Sequence, residues 1–208
     1  MAVNYGFLCE DKALELFIEE VLKKFGPVSK CKAFEKDKDF ALLPTSATNR
    51  REVIAQYKDA AKKAISINNL DLFIASYDWD DAHPLEYETS LRKQVADING
   101  KARNRTVMCV PVKCVEYWLY YIKHWDDELM LQANSLENDV LFNGNIAKSN
   151  VYERSLDEKG RYPKQSASTE ISKARIILEK LDIERLKALS PSFAFFVTQL
   201  INFCNNHA

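Results

Sequence analysis

The sequence predicts an α/β fold, with a mostly parallel sheet and helices on both faces over residues 1–112 and a helical extension over residues 113–208. Three observations predict it. Short apolar runs alternate with longer stretches whose apolar residues recur at helical spacing. The run Leu70 to Tyr77 is apolar almost throughout, as in a strand buried on both faces. With 5 Gly and 6 Pro in 208 residues, the chain is neither loop-dominated nor disordered.

Val3 to Cys9 reads as the first strand, followed at once by Glu10 and Asp11. A helix is expected from Lys12 to Phe25, because Leu14, Phe17, Ile18, Val21, Leu22 and Phe25 form one stripe and Gly26-Pro27 stops it. A second strand is expected around Cys31 to Phe34. A charged turn at Lys36 to Asp39 and a short extended piece over Phe40 to Leu43 follow. Pro44-Thr45-Ser46 opens the next helix, whose apolar face is Val53, Ile54, Tyr57, Ala60, Ala61, Ala64 and Ile65, and Asn68-Asn69 ends it. The third strand comes next. Pro84 suits the first turn of a helix running from about Leu85 to Ile98, and Thr106 to Val112 is a fourth strand.

Beyond Lys113 the character changes. Val115 to Trp125 is nearly apolar all round and predicts a buried helix. Residues 126–149 are polar and ambiguous, and residues 150–168 are the most loop-like. Two or three helices close the chain. The last opens at Ser190-Pro191 and carries the stripe Phe193, Phe196, Val197, Leu200, Ile201 and Cys204.

A net charge of −1 gives no global basic field, and 47% apolar residues suffice for a full core. The 5 cysteines (Cys9, Cys31, Cys109, Cys114, Cys204) are odd in number and include no CxxC pair, which argues against a zinc site. Cys9, Cys31 and Cys109 lie in or beside strands, where a free thiol behaves as a small hydrophobe. No signal-type segment opens the chain, and no apolar run nears the ~20 residues of a bilayer span. A reducing cytoplasmic location without membrane contact is therefore expected.

The third strand ends in Asp78-Trp79-Asp80-Asp81. Side chains two apart on an extended chain point the same way, so Asp78 and Asp80 can face one point. Such a pair repels unless a cation lies between, and hard oxygen ligands on few residues suit Mg²⁺ or Mn²⁺, with Asp81 assisting. In a parallel sheet Glu10 shares that edge and can serve as metal ligand or general acid/base. An acidic, solvated turn would explain the same residues. Glu116, one turn into a buried helix, needs a cation or donors: it supports the metal site, or pairs with Lys113 or Lys123. His83 could contact phosphate or shuttle a proton, or could cap the helix near Pro84. Arg50, Arg51 and Lys173 are further basic candidates, whereas Lys101, Arg103 and Arg105 precede the fourth strand and belong to the opposite edge. Arg161 and Lys164 flank Tyr162 in a loop that could fold over the acidic edge as a substrate-binding element, or remain an ordinary solvated loop.

A Glu after the first strand, here in Phe7-Leu8-Cys9-Glu10, and an Asp-x-Asp after a later one, here Ile74-Ala75-Ser76-Tyr77-Asp78-Trp79-Asp80, resemble Toprim domains. The stretch Val110 to Leu119, with its Pro-Val strand end and Glu-x-Trp helix, is similar to small stand-alone Toprim-like proteins related to the overcoming-lysogenization-defect nucleases. The resemblance covers about residues 2–112. It implies a Toprim-like, Rossmann-like sheet and Mg²⁺-dependent cleavage of DNA or RNA phosphodiesters in bacterial anti-phage defence. It also implies a partner ATPase, since the chain has no Gly-rich phosphate loop, and is compatible with an oligomer. Many Toprim proteins have Gly after the first Glu; Asp11 stands there and would add a carboxylate. Two other functions fit the residues: a non-catalytic metal- or nucleotide-binding interaction module, or a different Mg²⁺-dependent phosphoryl-transfer enzyme.

Overall fold

The computed structural model describes residues 2–28, 31, 33–38, 40, 49–79, 84–126, 137, 144–155, 157 and 166–207. Its sheet has four strands, β1 (Val3–Cys9), β2 (Phe34–Lys36), β3 (Leu72–Ser76) and β4 (Thr106–Cys109), all parallel in the order β2-β1-β3-β4. The helices are α1 (Lys12–Val28), α2 (Arg50–Lys62, continued by a π-turn over Lys63–Ile67), α3 (Pro84–Ala96), α4 (Val115–His124), α5 (Gly144–Val151), α6 (Ala167–Glu179), α7 (Ile183–Leu189) and α8 (Pro191–His207). The α/β class and the helical C-terminal region are as the sequence predicts.

Successive residues of β3 alternate between two cores. Leu72 and Ile74 join the core formed with α1, α4 and α6–α8, while Phe73 and Ala75 join the one formed with α2 and α3. Both faces are covered, which is why the strand reads as an unbroken apolar run. Phe17 of α1 packs 4.8 Å from Trp118 of α4 and 5.8 Å from Phe193 of α8, ring centroid to ring centroid. The helical extension thus shares one core with the first helix.

Several boundaries differ from expectation. The second strand lies at Phe34–Lys36, not Cys31 to Phe34, because its register follows β1 (Val3↔Phe34, Tyr5↔Lys36). Lys36, read as part of a turn, is tolerated on this edge strand: its ammonium pairs with Glu15 at 2.8 Å and Glu19 at 2.7 Å and sits 4.5 Å from the Phe7 ring centroid. The fourth strand pauses after Cys109, since Pro111 has no N–H to donate. Pairing resumes where Trp79 N–H donates to Pro111 O and Lys113 N–H to Trp79 O. Helix α2 is capped by Asn49, whose side chain accepts from Glu52 N–H. The opening expected at Pro44-Thr45-Ser46 and residues 41–43 of the extended piece lie outside the described residues. The ambiguous and loop-like segments contain α5, a helix of eight residues.

Cys31 and Cys204 form a disulfide, whereas Cys9, Cys109 and Cys114 are free. The sequence hides this pairing because 173 residues separate the two cysteines and only the fold brings them together. With Cys31 and Cys204 bonded, the cysteines give no support to the expected reducing compartment. Among the described residues no helix is long and apolar enough to cross a membrane.

The outer edge of β4 is covered by α8. Gln199 accepts from Met108 N–H and donates to Met108 O, each at 3.0 Å, as a neighbouring strand would. Gln199→Ala leaves two buried backbone groups unpaired. It is expected to cost about 1–3 kcal/mol in urea unfolding, with Gln199→Glu restoring only the acceptor half.

Candidate acidic site at the sheet edge

Helix α1 covers one face of the sheet and α2 and α3 the other, so the direction of winding reverses between β1 and β3. In open parallel sheets the crevice at such a reversal, outside the carboxyl ends of the strands, is where ligands bind. Glu10 leaves β1 and Asp78 leaves β3 at that point. The Asp78 N–H donates to Glu10 Oε2 at 2.9 Å, and Glu10 N–H donates to Ser76 O at 3.0 Å. The two acids expected to meet are therefore in direct contact through main chain and side chain.

Asp78 is 7% exposed, and its Oδ1 accepts from Val115 N–H, at the start of α4, at 3.2 Å. Burial raises its pKa well above the ordinary carboxylate value, and the charges of Glu116, Asp11 and Glu10 raise it further while Lys148 opposes them. Asp11 is exposed and caps α1 by accepting from Leu14 N–H at 2.9 Å. Its carboxylate adds to the negative field at Asp78 and Glu116.

Glu116 is 4% exposed on the first turn of α4. Its Oε1 accepts from the Tyr152 hydroxyl at 3.2 Å, while Oε2 is buried without a hydrogen-bond partner among the described residues. Among the described residues the ion pair to that oxygen is with Lys148 Nζ at 3.9 Å. Burial raises the Glu116 carboxyl, and Lys148 is the largest influence against that rise. Neither cation considered from sequence fills this role. Lys123 instead holds Glu153 and Asn150 O, and Lys113 lies over the Tyr117 ring. Buried Cys114, in the turn before α4, completes the surroundings and is itself raised, first by burial and then by Glu116 and Asp78.

Lys148 and Tyr152 were missed from sequence. They stand four apart, as do Ala147 and Val151, which face the core. That helical spacing, in an otherwise polar stretch, is the only signal that could have marked α5.

The basic candidates divide. Arg50, at the start of α2, lies over Trp79 at 5.5 Å and Tyr77 at 5.9 Å from the ring centroids, which sets it at the rim of the acidic edge. Arg51 is exposed. Lys173 donates to Tyr152 O and buttresses α5. Arg103 and Arg105 bind backbone carbonyls of Ile98, Ala96 and Leu70 at the opposite edge, as expected. Asp80, Asp81, His83, Arg161 and Lys164 lie outside the described residues.

Among the described residues no three His, Cys, Asp or Glu side chains converge closely enough to hold an ion by themselves. Mg²⁺ is commonly held by one or two carboxylates, its remaining positions taken by water and substrate phosphate. A buried carboxylate oxygen without a donor beside a second buried acid fits that requirement. The site and fold define an open parallel α/β protein with an acidic centre at its switch point. No protein-family model, curated protein or solved structure matches the chain.

Proposed function

We propose that the chain is a Mg²⁺-dependent nuclease of the Toprim type, acting on DNA or RNA phosphodiesters. The observation that carries this reading is the 2.9 Å contact between Asp78 N–H and Glu10, which brings acids from two neighbouring strand ends to the ligand-binding edge of the sheet. Asp78 and Asp80 would hold the ion, with Asp81 and Glu10 as further ligands and Glu116 in support. The ion, when bound, would neutralise phosphate charge and activate water. Glu10 is partly exposed and stands where it can hold or pass a proton at its carboxylate. Arg50, stacked at the rim, offers a cation to the phosphate backbone. A role in anti-phage defence alongside a partner ATPase rests on the resemblance alone.

The alternative is a binding module that holds a metal or nucleotide without cleaving it. The Val115 N–H contact favours it, because Asp78 then has a structural duty at the α4 N-terminus. The discriminating experiment is a Mg²⁺ and Mn²⁺ titration followed by cleavage assays on mixed DNA and RNA. Asp78→Ala and Glu10→Ala are each expected to abolish metal-dependent cleavage with the circular dichroism spectrum unchanged. Cleavage surviving either substitution rejects the nuclease, metal binding without cleavage leaves the module, and turnover of nucleotides alone points to another phosphoryl-transfer enzyme.

A further inference from the structure

Glu116 Oε2 is buried, has no hydrogen-bond donor among the described residues, and faces the Lys148 ammonium at 3.9 Å. With that oxygen lacking a donor, the opposite charge of Lys148 is the largest influence holding the carboxylate ionised. Lys148 also acts beyond its partner, drawing down Asp78 and Cys114 as well as Glu116. Its own side chain remains 37% exposed, on a flexible stem that can swing towards solvent. Tyr152, one helical turn further on, fixes the other oxygen of Glu116 and so keeps that carboxylate in place whether or not the ammonium is present.

We infer that Lys148 is the built-in counter-ion of the acidic site, filling in the metal-free protein the charge role that a divalent cation takes over and competing with that cation for the site. The inference rests on the metal-dependent reading above. One monovalent charge on a tether neutralises Glu116 and Asp78 only in part, so a divalent ion gains by replacing it, at the cost of moving the ammonium outward. Lys148 is thus a positioning residue that sets the metal concentration at which the site fills. The extension beyond residue 112, through α5, controls a centre built from strand ends.

The test is calorimetric titration of the full chain with Mn²⁺ alone, comparing wild type, Lys148→Met and Lys148→Arg. Lys148→Met is expected to bind Mn²⁺ about tenfold more tightly, and Lys148→Arg, which keeps the charge, to stay near wild type. A residue that merely props up the site would weaken binding when removed, so unchanged or weaker affinity in Lys148→Met overturns the inference. Should that variant fail to fold with Glu116 left unpaired, the comparison moves to the Glu116→Gln background. There Lys148→Met no longer leaves Glu116 as a charge without its counter-ion, and tighter binding relative to Glu116→Gln alone is required. Mn²⁺ binding by wild type with no gain on losing the lysine overturns this inference only. No binding by wild type overturns the metal-dependent reading with it.

Discussion

Asp78→Asn is expected to bring metal-dependent cleavage down to background while raising the melting temperature of the metal-free protein. The two effects have one cause. Asp78 is buried, and the charges of Glu116, Asp11 and Glu10 all oppose its ionisation. Asparagine keeps the Oδ1 acceptor for Val115 N–H and the backbone donor to Glu10, and removes only the charge. The rise should be a few degrees, since ~1 kcal/mol moves the midpoint of a domain this size by roughly 2–4 °C. Mg²⁺ should stabilise wild type by mass action and leave Asp78→Asn unmoved.

The pH dependence follows from the same shifts. Asp78 and Glu116 both have folded-state values raised above their ordinary ones of 3.8 and 4.5. In the window above those ordinary values the folded state binds more protons than the unfolded one. Stability therefore falls as pH rises through the raised values, and is fullest below the unfolded ones as far as these two groups are concerned. Glu137, buried against Ser190 and Ser192, is shifted the same way and contributes a slope of its own. Thermal melts of metal-free protein between pH 4 and pH 8 should thus show a decline that Asp78→Asn makes shallower. An equal slope in wild type and variant would mean that Asp78 is not the strained group.

What the sequence disclosed and what it concealed have different physical origins. β1, β3, α4 and α8 were legible because burial leaves a mark in composition: unbroken apolar runs for β3 and α4, and a 3.6-residue stripe with a Ser-Pro opening for α8. The meeting of Glu10 and Asp78 was legible because parallel strands put all their carboxyl ends on one edge. The position of β2 was not, since Glu35 and Lys36 are paired by register with β1 and Lys36 is held by α1 side chains. Lys148, in a short polar helix that packs against α4, and Tyr152, in the turn after it, were hidden for that reason. The Cys31–Cys204 pairing depends on the whole fold.

Trp118→Ala is expected to cost about 3–5 kcal/mol, as for other fully buried aromatic residues. That is a large part of the 5–15 kcal/mol by which a typical domain is stable. Trp118 is 0% exposed and packs against Phe17 in a tilted contact and Phe193 edge to face, at centroid distances of 4.8 Å and 5.5 Å. Its indole N–H donates to the Ser190 and Ser192 hydroxyls at 2.9 Å and 3.1 Å, and both hydroxyls also bind Glu137. Those hydroxyls keep a partner when the indole is gone, so most of the loss is packing. Trp118→Phe should recover the greater share of it. Because this ring joins α1, α4 and α8, the effect should appear in urea as a single cooperative transition shifted as a whole. A chain ending at Val112 should for the same reason fail to fold, since it exposes the apolar faces that α1 and the sheet turn towards α4 and α6–α8. A soluble 1–112 fragment with its own cooperative melt would show instead that the extension is an accessory, and would remove the structural ground for α5 acting on the acidic site.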